Sequence, residues 1–250
     1  MNRFQEQIAI VAGGARGIGR GVVRRLAQEG AQVYIFDIRE EELNRTLAEA
    51  KQSGQKIQGQ ILDITNESAV KASIEAIAEA HGRLDVLVNC AAIIGETGIN
   101  IADFSTESFE QVVNVNLKGA FLLSKYAIPS MLRNNYGRIV HLSSIGGKEG
   151  NPGMVAYAAS KSGLMGLVKA VGKEYAESGI TVNGIAPAVI ATEMNANTAQ
   201  EVIDYMTAKI PMRRLGTIEE VTALCCWIAS PEASFNTGYI FDISGGRATY

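Results

Sequence analysis

The chain is poor in the residues that hold metals. Its three cysteines, Cys90, Cys225 and Cys226, are odd in number and lack metal-ligand spacing, and only two histidines, His81 and His141, could help them. A zinc site is not expected, and the three thiols read as small buried hydrophobes. Long apolar runs are also missing. The longest, IAIVA at 8–12 and ALCCWIA at 223–229, fall far short of the ~18 residues that span a bilayer. Neither sign of charge dominates: 23 basic and 26 acidic residues leave a net charge of −3, and the basic residues are scattered, so nothing marks a nucleic-acid partner. The start, MNRFQEQIAIVAGG, passes from charged residues into glycine after five apolar positions, too short for a secretory core, and the expectation is a cytoplasmic protein. No repeat, low-complexity tract or linker interrupts the sequence.

What is present is alternation. Apolar β-rich runs, IAIVA at 8–12, QVYIFD at 32–37, KIQGQILD at 56–63 and LDVLVN at 84–89, alternate with helical patterns at 17–30, 41–52 and 67–82. Later strands read GRIVHLSS at 137–144, ITVNGIAP at 180–187 and GYIFDIS at 238–244. Near-continuous apolar strands suit a parallel sheet covered on both faces. About seven of them without a composition break predict one doubly wound α/β domain over residues 1–250.

The first βα turn, IAIVAGGARGIGRG, places glycines between a strand and a helix start. Gly13, Gly17 and Gly19 are spaced G-x-x-x-G-x-G rather than G-x-G-x-x-G. Such glycines let the backbone approach a pyrophosphate, and the helix end offers free N–H donors. Asp37 closes the second strand 18 residues after Gly19, near the ~20 at which an acidic residue meets ribose hydroxyls. A carboxylate there favours NAD and repels the 2′-phosphate of NADP; Arg16, in the cradle, is the opposing signal.

In YAASK at 157–161, Tyr157 and Lys161 stand at i and i+4 and share one helix face. Alone, such a pair is more often exposed than catalytic. Beside the cradle, and with Ser144 at a strand end 13 residues upstream, it reads as chemistry. An ammonium one turn away is expected to lower the phenol's pKa, so that Tyr157 takes an alcohol proton as hydride leaves carbon.

Seven stretches together resemble the short-chain dehydrogenase/reductase family across nearly the whole chain: AGGARGIG at 12–19, DITN at 63–66, LVNCAA at 87–92, NVNLKG at 114–119, HLSS at 141–144, YAASK at 157–161 and VNGIAPAVIATEM at 182–194. The resemblance implies a seven-stranded Rossmann sheet, a nicotinamide cofactor and a catalytic set of Asn116, Ser144, Tyr157 and Lys161. In it Ser144 polarises the substrate oxygen, and Asn116 anchors a water chain behind Lys161. It implies cofactor contacts from Gly13, Arg16, Gly17, Ile18, Gly19 and Asp37, from Asp63, Ile64 and Asn89, from Tyr157 and Lys161, and from Pro187, Ile190 and Thr192. It also implies a homotetramer built through long helices, with the C-terminal tail directed to a neighbouring subunit. Ala12, Cys90, Ala92 and Ala188 depart from the family's usual Thr, Asn, Gly and Gly, and its terminal DGG reads SGG at 244–246.

The substrate loop is expected around 190–215. SIGGKEGNPG at 144–153 and FDISGGRATY at 241–250 look like the branch acting on sugar acids such as 2-keto-3-deoxy-L-rhamnonate or L-fuconate. A carboxylate substrate needs a cation near the hydride. Lys148 is the first candidate, joining Ser144 and Tyr157 as substrate residues, with Arg214 and Arg247 behind it. The alternatives are a 3-oxoacyl thioester reductase, which wants NADPH and a basic patch, a polyol or sugar dehydrogenase, and a non-catalytic nucleotide sensor.

Overall fold

A computed structural model describes residues 2–192 and 200–250. Seven strands, β1 (Ile8–Ala12), β2 (Gln32–Asp37), β3 (Ile57–Ile61), β4 (Val86–Asn89), β5 (Gly137–Leu142), β6 (Ile180–Pro187) and β7 (Ile240–Ile243), form one sheet in the order β3-β2-β1-β4-β5-β6-β7. Every pairing is parallel. The period-2 geometry of a strand sends alternate side chains to opposite faces, so central strands must be apolar throughout. In β1, Ala9 and Val11 join one core with Val22 and Leu26 of α1 (Gly17–Gln28) and Cys225 and Cys226 of α9 (Ile218–Ile228). Ile8, Ile10 and Ala12 join the other, with Ile74 of α3 (Glu67–His81) and Leu122 and Leu123 of α5 (Gly119–Arg133). Each fully buried Val, Leu or Ile contributes roughly 1.5–3 kcal/mol. β3 departs from the pattern: as an edge strand it keeps most of its side chains exposed.

The sheet order creates the site. From β1 the chain winds outward through β2 and β3, then crosses back to lay β4 on β1's other side. The loops after β1 and β4 therefore part at the C-terminal edge and leave a crevice between them. Two further helices bring side chains to that edge. α4 (Thr106–Val113) runs into α5 through a π-helical turn over Asn114–Lys118. α7 (Val155–Glu174) follows a short α6 (Ile145–Glu149) that opens at Ser144. The expected substrate loop lies partly outside the described residues; its described parts include α8 (Gln200–Ala208) and a parallel bridge between Ile190 and Gly216. No helix among the described residues is long and apolar enough to cross a membrane. The C-terminal tail folds back on its own chain's α6, where Arg247 meets Glu149 and Tyr250 meets Lys148.

Candidate active site

A cleft of about 700 Å³ opens at the C-terminal edge of the sheet. At one end, Gly13 takes φ 71°, and a Cβ there would lie 2.6 Å from the Ala91 nitrogen. A Cβ on Gly19 would lie 2.0 Å from the Gly13 carbonyl oxygen. The loop and helix thus pack backbone to backbone, as a close phosphate cradle requires. Asn66, Ser105 and Thr217 cap α3, α4 and α9 with their side chains, whereas α1 has no side-chain cap and no acidic residue in its first turn. Its positive dipole end is left to face an anion. Asp37 is 8% exposed and lines the cleft. One oxygen accepts from the Ala15 N–H at 3.0 Å and the other from the Arg39 N–H at 3.1 Å. A carboxylate offers about four lone-pair sites, so two remain for ribose hydroxyls. These features fit a dinucleotide.

At the other end the four expected polar residues converge. Ser144 caps α6, its Oγ accepting from the Gly146 N–H at 3.0 Å. Ser144 also faces Tyr157, and its hydroxyl draws that phenol's pKa down against the larger effect of burial; the net direction is up. Lys161 is 2% exposed and donates to the Leu142 carbonyl at 2.7 Å. Burial holds its pKa down, at about 8. Its Nζ lies 5.8 Å from the Tyr157 ring centroid. Asn116, carried on the π-helical turn, is fully buried. Its amide spans the Ile93 backbone, accepting from N–H and donating to C=O at 2.9 Å each, and donates to Ser160 Oγ at 3.0 Å. A π turn of this kind often marks a functional site within a helix.

Several expectations need correction. Lys161 does not lower the Tyr157 pKa here, because its ammonium is directed at the Leu142 carbonyl, and burial outweighs the Ser144 hydroxyl. Lys148 does not line the cleft. It pairs with Asp242 at 2.8 Å and donates to the Tyr250 carbonyl oxygen, so its charge is already matched. Arg214 is likewise held by Glu220 at 2.6 Å on the surface. Asn89 does not line the cleft: its Oδ1 accepts from the Ala91 N–H at 3.1 Å, and Cys90, Ala91 and Ala92 form the wall there. Cys225 and Cys226 are buried as expected, but Cys90 is only partly so, with burial pushing its thiol up to about 12.

The remaining cofactor candidates lie together. Arg16, Gly17, Ile18, Asp63, Ile64, Pro187, Ile190 and Thr192 all line the cleft with the glycines and Asp37. Arg247, one of the candidate cations for a substrate carboxylate, lines it as well, as do Asn151, Met154, Tyr205 and Met206, which no motif placed there. Asn151 lies within the stretch at 144–153; the α8 residues carry no local signature of a cleft.

A family model described as enoyl-(acyl carrier protein) reductase matches residues 13–248. The chain is 41% identical to a 2-dehydro-3-deoxy-L-rhamnonate dehydrogenase (NAD(+)) of a Sphingomonas species, covering 99% of this chain and 98% of that one. It is 36% identical to a 3-oxoacyl-[acyl-carrier-protein] reductase of Thermotoga maritima, covering 98% of each. Among solved structures it superimposes on gox2181 with a TM-score of 0.94 at 31% identity, covering 99% of this chain and 98% of that one. On an actinorhodin polyketide ketoreductase with NADPH the TM-score is 0.91 at 33% identity, covering 98% of each. With the cradle, the convergent polar residues and similarity along its whole length, the chain belongs to the short-chain dehydrogenase/reductase family, oxidoreductases that act on CH–OH groups with a nicotinamide cofactor.

Proposed function

We propose that the protein is an NAD-dependent dehydrogenase that oxidises a secondary hydroxyl of a small sugar acid, of the kind represented by 2-keto-3-deoxy-L-rhamnonate and L-fuconate. The observation that carries the reaction is that Ser144, Tyr157 and Lys161 line one end of a cleft whose other end is the glycine cradle and Asp37. Bound NAD supplies the hydride acceptor. Ser144 holds the substrate oxygen, and Tyr157 takes its proton. Lys161, with a pKa of about 8, can gain or lose a proton near neutrality and so passes it onward toward Asn116. Asn116 fixes the back wall by locking the Ile93 backbone to α7 through Ser160. Asp37 supports NAD, because a 2′-phosphate would meet a carboxylate already seated in the loop. The sugar-acid class is supported by the relative at 41% identity.

A second reading, a 3-oxoacyl thioester reductase using NADPH, draws on the relative at 36% identity and on Arg16 and Arg39, which flank Asp37 in the cleft. Oxidation of sugar acids, polyols and hydroxyacyl thioesters with NAD and NADP, followed by absorbance of the reduced cofactor, separates the two. Turnover confined to thioesters with NADP would overturn the first reading. Assembly as a homotetramer belongs to the same proposal. Phe109 and Phe121, exposed on α4 and α5, support it, and sedimentation tests it.

A further inference from the structure

The last residues of the chain bring a guanidinium into the cleft. After β7, Gly245 and Gly246 take φ of 61° and 88°, which lets the chain double back over α6. Ser244, where the family pattern has Asp, fixes that turn by accepting from the Ala248 N–H at 3.1 Å. The Tyr250 hydroxyl then reaches the Lys148 carbonyl at 3.4 Å. Held this way, Arg247 lines the cleft with only 7% of its side chain exposed. Glu149 grips one edge of it: Nε is 3.1 Å from each carboxylate oxygen, and Nη2 is 2.6 Å from Oε2. A guanidinium has a second bidentate edge, Nη1 with Nη2, and no other described residue takes Nη1.

We propose that Arg247 binds the carboxylate of the substrate and sets the enzyme's preference for acids. The inference rests on the sugar-acid reading and names the group that would execute it. Lys148 and Arg214 are matched by Asp242 and Glu220, and Lys161 is directed at the Leu142 carbonyl. Lys209, which lines the cleft with Tyr205, is exposed and stacks over that ring. Of Lys161, Lys209 and Arg247, which all line the cleft, Arg247 alone is held in place by a carboxylate fork. α6 is capped by Ser144 and ends at Glu149, so the hydroxyl-holding serine and the anchor of Arg247 belong to the two ends of one five-residue helix on the cleft wall. Glu149 acts as a positioning residue, turning one edge of the fork away so that the other faces the ligand.

The test compares a sugar acid with its uncharged methyl ester in wild type, Arg247→Met and Arg247→Lys. In Arg247→Met the KM for the acid is expected to rise about 10- to 100-fold, the range of a lost charged hydrogen-bonded pair, with the ester's kcat/KM and NADH affinity unchanged. Arg247→Lys, which keeps the charge and loses the fork, falls between. Should Arg247→Met fail to fold, the acid-to-ester ratio in Arg247→Lys decides. An unchanged ratio in a wild type that oxidises the acid would overturn the role of Arg247 alone, as would equal losses for acid and ester. A wild type that oxidises only uncharged substrates would overturn the sugar-acid reading itself.

Discussion

Lys161 is an ammonium held in the interior without a carboxylate partner among the described residues, and that placement has a measurable signature. Its pKa falls from the ordinary 10.5 to about 8 because burial penalises the charged form. Between those values the unfolded chain holds a proton that the folded chain has released, so this group makes stability rise with pH across the window. Below about pH 8 both states are protonated, and the full cost of burying the charge, about 3 kcal/mol, is present. From about pH 7 to about pH 9.5 roughly 2 kcal/mol of it is relieved. Lys161→Met keeps most of the side-chain volume and has no such term. The variant escapes the burial cost but loses the charged hydrogen bond to Leu142, worth about 1.5–3 kcal/mol, so at neutral pH its stability stays within about 1.5 kcal/mol of wild type. The assay is urea unfolding of both proteins at the two pH values. The buried thiols of Cys225 and Cys226, raised by burial, act in the opposite direction at alkaline pH, but they are common to both proteins and cancel in the difference. Wild type is expected to gain about 2 kcal/mol on the variant between the two pH values. A gain below about 0.5 kcal/mol would mean that Lys161 keeps its proton to the ordinary range, and the proton-passing role would lose its basis.

Ser144→Ala removes the hydroxyl that draws the Tyr157 pKa down, so the rising limb of the pH profile for alcohol oxidation should move to higher pH, and a limb that stays or moves lower would contradict the geometry. Asp37→Ser should relax the cofactor preference toward NADP by removing the charge that opposes a 2′-phosphate; the ratio of kcat/KM values for the two cofactors reports it, and an unchanged ratio counts against the carboxylate. Gly19→Ala places a methyl group 2.0 Å from the Gly13 carbonyl oxygen, where only backbone can give way. NADH affinity, followed by fluorescence titration, should drop at least about tenfold, since each 1.4 kcal/mol of misfit is a factor of ten. Undiminished binding would remove Gly19 from the cradle.

Local pattern made the strands and the cradle legible, because a central parallel strand must be apolar on both faces and a phosphate loop must be rich in glycine. The four polar residues were legible through short motifs at fixed spacing. Other features depend on partners far away in the chain. Lys148 looked available at four residues from Ser144, yet Asp242, 94 positions later, matches its charge. Nothing in NVNLKG announces a π turn; the widened helix goes with an Asn116 amide that spans the Ile93 backbone across 23 positions. Asn89 was placed among the cofactor contacts by its motif, but its amide oxygen is engaged by the Ala91 N–H of its own turn and the residue does not line the cleft. The tail residues that bring Arg247 to the cleft are ordered by contacts with α6, which no periodicity encodes.

The central claim is that Tyr157 is the proton acceptor in a hydride-transfer site, and Tyr157→Phe tests it most directly. The ring and its packing stay while the hydroxyl that faces Ser144 is lost. Oxidation of the best substrate, read as reduced-cofactor absorbance, is expected to fall by about 10²–10⁴-fold, the usual contribution of a positioned acid or base, with NADH affinity unchanged. Turnover within tenfold of wild type, at undiminished cofactor affinity, would contradict the account.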